Sequence, residues 1–435
     1  MACQQDRRID STSCVIRGRY LATTCHLSLR DKFAPENLAA TIMNLSNLDG
    51  STNFLLEPSW LKTLSIQGIE RLDLLSLWRT WILSTFGEAI SFGHPGPNPA
   101  SELPALHLSR EAISRGPATL GINLGGYYAR LAYVSASDQI LYGPEIKIGA
   151  DGDSILRGIS LDQFCKTIST WISSTGWRYS CVGMALAAPR GYQGIVPSSN
   201  LFKPCPQITN AFRSGLFRST LASQLKCPVG IYNDGECNAV ADWFATLSTN
   251  QSLYSLKLGT SIACGLVKDN RLSLLPLELA KCIITMNRPT QLANTIHPVT
   301  GIRGTLREAV GAGAVSIRYH NSTHAASQFP QFQLDVLAGK RRARSEAFNM
   351  AAALADGVAL LVKYFGVMPL HIGGKTVEGE FGEYFVRLFK KALLQRAAHL
   401  SEQDILLTSW PATYSAAVGA ALLGRGEHKV KHGEQ

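Results

Sequence analysis

One order of signals runs twice along this chain and limits its fold more than any single motif does. An apolar β run ends in a glycine-bearing turn, two further β runs follow, and helices come after them. The first set is ATLGINL at 118–124, ARLAYVS at 129–135 and ILYGPEIKI at 140–148; the second is SLYSLKLG at 252–259, ACGLVKD at 263–269 and RLSLLPLE at 271–278. Short runs of this kind bounded by Gly, Ser and Asp read as three consecutive antiparallel strands. The two sets share little identity, so the repeat is one of structure and not of sequence. Between them Leu161, Phe164, Cys165, Ile168, Trp171 and Ile172 recur at helical spacing, and CVGMALAAP at 181–189 returns to a buried strand. Helices alternating with strands point to the α/β class. Helical runs at 345–365 and 381–399 flank a short strand, PLHIGG, at 369–374. The last helix, ATYSAAVGAALLG, is rich in small residues suited to close packing, either within one half of the chain or against a partner.

At 435 residues the chain exceeds the roughly 250–300 at which one core stops growing. A Pro/Gly-rich stretch, GHPGPNPASELPAL at 93–106, sets off an N-terminal block. The expected division is therefore an extension over 1–110, a first domain over 116–245 and a second over 246–425, with the C-terminal helix free to return to the first. In the extension Leu72, Leu75, Trp78, Ile82 and Phe86 have helical spacing, and Asp73, Arg79 and Glu88 interrupt the run, which reads as a packed helix and not a membrane span.

Hydrophobic residues make up 46% and charged residues 17%, which excludes the composition of a disordered chain. The net charge of +10 favours anionic partners. Lys340, Arg341, Arg342 and Arg344 form the densest basic run; with no interleaved aromatic residue it reads as a solvated face and not as a nucleic-acid surface. The ten cysteines include no C-x-x-C pair and no apolar leader is visible, which fits free thiols in a cytoplasmic protein.

Three glycine turns follow β runs: Asn123–Tyr128, Leu258–Gly265 and Ile372–Lys375. Without a Cβ, glycine lets backbone N–H groups approach an oxyanion closely, so two such turns facing each other can hold a polyphosphate. Between the first two lies VGIYNDGECNAVADW, a strand that ends in Asn233 and Asp234 where a helix begins. A carboxylate there is placed either to deprotonate a hydroxyl or simply to cap the helix. Asn200, in GIVPSSNL, occupies a turn.

In this order and spacing the motifs over roughly 116–424 resemble the ROK family of sugar kinases and sugar-responsive repressors, within the actin, Hsp70 and hexokinase superfamily. The resemblance implies a two-domain, actin-like (ribonuclease H-like) ATPase fold behind an N-terminal extension. It implies ATP and Mg²⁺ as cofactors, with phosphate contacts at Asn123, Gly125, Gly126, Gly259, Thr260, Ser261 and Gly265, and an adenosine side at Gly373 and Gly374. Asp234 corresponds to the family's catalytic base, and Asn200, Asn233 and Glu278 to sugar contacts.

Two departures stand out. The family's D-x-G-G-T is Asn123, Leu124, Gly125, Gly126 and Tyr127 here, so the carboxylate that helps hold Mg²⁺ is an amide. The G-E-x-G-H and C-x-C-G-x-x-G-C-x-E segments correspond to 277–281 and 298–307, with Lys281 in place of the zinc His and no Cys ligand remaining. All four zinc ligands are absent together, so no zinc is expected.

The resemblance thus implies phosphorylation of a hydroxyl on a sugar, amino sugar or cyclitol, and leaves a homodimer open. The alternative is a catalytically degenerate sugar or nucleotide sensor, or a transcriptional regulator. No basic recognition helix follows 38–45 at the short turn a helix-turn-helix needs, which disfavours nucleic acid.

Overall fold

The computed structural model describes residues 13–16, 25–28, 54–55, 90–91, 105–108, 113–114, 116–125, 128–148, 159–188, 206–246, 252–273, 279–281, 305–320, 328–408, 410–411 and 413–433. The helical run at 69–86, the segment 38–45, Gly126, Asn200 and Glu278 lie outside these residues, as does most of the 298–307 segment.

Two short pairs come first: β1 (Ser13–Ile16) with β2 (Cys25–Ser28), antiparallel, and β3 (Phe54–Leu55) with β4 (Ile90–Ser91), parallel. β5 (Ala105–His107) belongs to the second of two six-stranded sheets. The first sheet consists of β6 (Thr119–Leu124), β7 (Tyr128–Val134), β8 (Ile140–Tyr142), β9 (Ile146–Lys147), β10 (Cys181–Leu186) and β11 (Val229–Asn233). Its order is β11-β10-β6-β7-β8, with β9 also on β7. The second adds to β5 the strands β12 (Leu253–Leu258), β13 (Ile262–Lys268), β14 (Arg271–Ser273), β15 (Leu370–Gly373) and β16 (Ile405–Leu407), in the order β16-β15-β12-β13-β14-β5.

The same topology is therefore built twice. β6, β7 and β8 run antiparallel, as do β12, β13 and β14. β10 and β11 then add parallel to β6, as β15 and β16 add to β12. Parallel neighbours need crossovers, and helices supply them: α1 (Leu161–Ser173), α2 (Pro206–Arg213) and α3 (Leu216–Leu225) in the first half. α4 (Asp234–Ala245) joins the halves. In the second half come α5 (Leu306–Val310), α6 (Ala312–His320), α7 (Phe329–Leu337), α8 (Arg341–Phe365) and α9 (Gly379–Leu394). α10 (Ser415–Gly433) closes the chain.

Local chemistry explains the elements. Ser160 caps α1 in a reciprocal box with Gln163, satisfying two end groups of the helix. Its buried face of Phe164, Cys165, Ile168, Trp171 and Ile172 packs with Leu120, Ile122 and Met184 of the first sheet. α8 contributes Ala347, Met350, Leu354, Val358 and Leu361 to the core over Leu256, Leu258 and Ile372. Its Arg341–Val362 stretch is long and apolar enough to cross a membrane, yet most of it is buried in this core.

Two differences from the sequence reading have physical causes. The run at 140–148 is split into β8 and β9, because Pro144 between them has no N–H to give a ladder. The end of the Pro/Gly-rich stretch is itself a strand: Ala105, Leu106 and His107 pair with Ser273, Leu272 and Arg271 at the edge of the second sheet.

α10 lies on β6 and β10 of the first sheet and against α4, which in turn packs on β12 and β13 of the second. Small residues make this stacking possible. A Cβ on Gly121 would fall 1.8 Å from the Ala417 carbonyl oxygen, and one on Gly183 1.8 Å from that of Ala420. The fully buried Arg425 ties the helix down by donating to the carbonyls of Ile113, Val134 and Ser135 and to the Asp138 carboxylate.

Candidate functional site at the strand ends

Register levels the carboxyl ends of the parallel strands. Leu186 lies opposite Leu124 on one side and Asn233 on the other. At a strand spacing of about 4.8 Å, Asn233 therefore sits roughly 10 Å from Leu124 along the same edge. Ligands of open α/β sheets bind outside such carboxyl ends. The Gly125 turn and the start of α4 are both at this edge.

At the start of α4 the cap is Asn233, not Asp234. The Asn233 side-chain oxygen accepts from the N–H groups of Gly235 (2.8 Å) and Glu236 (3.2 Å), and the Glu236 carboxylate accepts from the Asn233 N–H. The Asn233 amide also donates to the Ala188 carbonyl at 2.7 Å, holding the segment that follows β10. Most of its hydrogen-bonding capacity is spent inside the protein. Asp234 is then the first helical residue, half-buried, with Oδ1 accepting from the Gly235 N–H at 2.9 Å, at the end of the helix where the dipole favours an anion.

The beginning of α4 touches the second sheet backbone to backbone. A Cβ on Gly235 would lie 2.3 Å from the Cys264 carbonyl oxygen, and one on Gly265 2.1 Å from that of Gly235. Gly265, singled out as a phosphate residue, is buried in this contact. The Asp234 turn and the second hairpin are thereby held together.

In the second hairpin Gly259 donates its N–H to the Ser261 carbonyl (2.9 Å) and accepts from the Ala312 N–H at the start of α6 (3.0 Å). Thr260 is exposed and Ser261 half-buried. A Cβ on Gly259 would meet nothing within 4 Å, so the turn borders open space. Gly373 is level with Lys257 across the β12–β15 pair, and Gly374, at φ +100°, crosses the Leu258 backbone so closely that a Cβ would lie 2.1 Å from its oxygen.

The first hairpin closes through the Gly125 N–H to the Tyr128 carbonyl at 3.1 Å. Asn123 is paired across β6–β7 with Arg130, so both side chains emerge on one face. Arg130 is 8% exposed and forms an ion pair of 3.0 Å with Glu145. A divalent cation held by protein groups needs oxygen ligands, usually carboxylate. An amide beside a fixed guanidinium does not fit one. Among the described residues no group of three or more His, Cys, Asp or Glu is placed to hold a metal ion.

Sequence reasoning passed over a buried polar cluster behind the second hairpin. Asp242, 1% exposed, accepts from Ser255 (2.6 Å), Lys257 (2.8 Å) and Thr408 (2.5 Å). Burial pushes the Lys257 ammonium below the usual lysine range, against the pull of Asp242. It also lowers the imidazole of His371, which faces both charges. The available signal was a lone lysine in an apolar strand, just as Arg130 is a lone charge in ARLAYVS.

The comparisons with known proteins reach the fold alone. No protein-family profile and no curated protein sequence matches the chain. Among solved structures it is similar to a ROK hexokinase from Thermus thermophilus, at 17% identity and a TM-score of 0.53, covering 72% of this chain and 99% of that one. It is also similar to a ROK family glucokinase from Streptomyces griseus solved with glucose and AMPPNP, at 17% identity and a TM-score of 0.54, covering 71% and 99%. A ROK family transcriptional regulator, a homologue of the E. coli Mlc protein, matches at 15% identity and a TM-score of 0.53 over 92% and 99%. The chain thus has the mixed α/β, actin-like fold of ROK sugar kinases.

Proposed function

We propose that this chain is an ATP-dependent kinase that phosphorylates a hydroxyl of a sugar, amino sugar or cyclitol, with Asp234 as the base. One observation carries the reading: Asn233 takes over the capping of α4, so the Asp234 carboxylate stands beside the cap at the sheet edge where Gly125 also lies. In the reaction Asp234 accepts the hydroxyl proton while that oxygen bonds to the γ-phosphorus of ATP. The bond from phosphorus to the β–γ bridging oxygen breaks, leaving ADP and a phosphate ester. Such transfer depends mostly on positioning and charge stabilisation.

The turns at Gly125 and Gly126 and at Gly259, Thr260 and Ser261 are assigned to the phosphates, Gly373 and Gly374 to the adenosine side, and Asn200 and Glu278 to neighbouring hydroxyls. Asn233 is assigned chiefly to positioning, given how much of its side chain the protein already uses. The kinase neighbours of the same fold, one of them solved with glucose and AMPPNP, support this reading.

The test is ADP production from ATP with a panel of hexoses, amino sugars and cyclitols. Acceptor-dependent turnover is expected, and Asp234→Asn should lower it by about 10²- to 10⁴-fold, the range for a lost general base. An unchanged rate in that variant would remove Asp234 from the chemistry.

A second reading, a sugar-responsive regulator without catalysis, has one observation in its favour. The likeness to the regulator covers 92% of the chain, against 71% and 72% for the two kinases. Acceptor binding without any ADP production would select it.

A further inference from the structure

The first glycine turn carries a cation that the kinase reading has not used. Arg130 is almost buried, yet only its Nε is engaged, by Glu145. Its Nη1 and Nη2 have no hydrogen-bond partner among the described residues. Neither nitrogen is among the fully buried polar atoms that lack a partner, so both stay open to water or to an anion while the rest of the side chain is held in place. Its direction is defined as well. Nη1 lies 3.9 Å from where a Cβ on Gly125 would begin, and the Tyr128 ring, 5.3 Å from Cζ, braces the guanidinium. The residue across the strand is Asn123, which brings no negative charge to compete for it.

We propose that the Gly125 turn binds a di- or triphosphate through Arg130 in place of a divalent cation, so that the phosphate chain is taken up without metal. The assignment rests on reading the Gly125 turn as a phosphate cradle and is independent of catalysis by Asp234. A guanidinium suits the role, since it is always charged and offers paired N–H donors to phosphate oxygens. Glu145, the more exposed member of the pair with 43% of its side chain in solvent, orients the guanidinium through Nε and leaves the far nitrogens for the anion.

The full chain would be titrated calorimetrically with ADP and, separately, with inorganic pyrophosphate, each in excess Mg²⁺ and in EDTA. Equal affinity in the two media is expected. Arg130→Gln should weaken binding about 10- to 100-fold, the worth of hydrogen bonds to a charged group. Glu145→Gln, which keeps the guanidinium, should bind at least as tightly as the parent. Asn123→Asp should weaken binding in EDTA and restore a requirement for Mg²⁺. Equal affinities for the two probes would assign the site to the phosphates alone, and tighter ADP binding would add the nucleoside; both agree with the proposal. Binding abolished by EDTA in the parent, an unaltered affinity in folded Arg130→Gln, equal losses in Arg130→Gln and Glu145→Gln, or no binding of either probe would overturn it. The kinase reading fails separately, through absent turnover with phosphate binding intact.

Discussion

A methyl group added at Gly259 would meet nothing within 4 Å, whereas one at Gly265 would lie 2.1 Å from the Gly235 carbonyl oxygen. Both glycines belong to the same hairpin, and they are needed for different reasons. Gly265→Ala should cost about 1–3 kcal/mol, the usual toll of overpacking, or more, because the obstructing atom is backbone. Gly259→Ala should stay within about 0.5 kcal/mol of the parent, as surface changes usually do, while weakening ADP binding if the turn approaches phosphate. Urea unfolding of the two variants, with ADP titration of Gly259→Ala, checks both. The sequence marked the two residues alike, as members of one glycine-bearing turn. Only the contact with α4 separates them.

For the elements, the cap of α4 joins fold and site. Asn233 serves three partners, two N–H groups of its own helix and the Ala188 carbonyl across the sheet edge. Asn233→Ala should cost about 0.5–2 kcal/mol, as other cap deletions do. Asn233→Asp keeps the accepting oxygen but loses the donor to Ala188, so thermal melting should place it between the parent and the alanine variant. The same variants test the positioning role of Asn233: kcat should fall in both if they misplace Asp234, even where the fold is retained. The strand-to-helix switch at 233–234 was legible in the sequence because β runs, Asn and Asp at helix starts and helical spacing are local signals. Which of the two residues caps was not, since both types make good caps and the choice depends on where the chain after β10 passes. β16 was missed for a related reason, because three residues are too few to show a period.

Over the whole molecule, α4 and α10 lie between the two sheets, and the Asp242 cluster fastens α4 to β12 and to the segment after β16. His371 adds a pH dependence to this junction. Burial is the main cause of its lowered value, the Lys257 ammonium adds to it and the Asp242 carboxylate opposes it. The folded protein therefore binds this proton less readily than the unfolded chain, whose imidazole keeps the ordinary value of 6.5. The His371 contribution to stability is present above that value and is lost as pH falls from it through the folded one, at no more than about 1.4 kcal/mol per pH unit. His371→Gln should flatten that part of the stability profile, as denaturant unfolding between pH 7 and 5 would show.

What the sequence determined by itself was the twofold order of strands, turns and helices and the place of the glycines and of Asn233–Asp234 within it. Alternation, helical spacing and glycine all act over a few residues. Tertiary structure alone decided that Arg130 borders the Gly125 turn, that Gly235 and Gly265 touch, that Asp242 meets Thr408, 166 residues away, and that the last helix lies on the first sheet. Each of these depends on strand register or on close packing between distant segments, for which a linear pattern carries no signal.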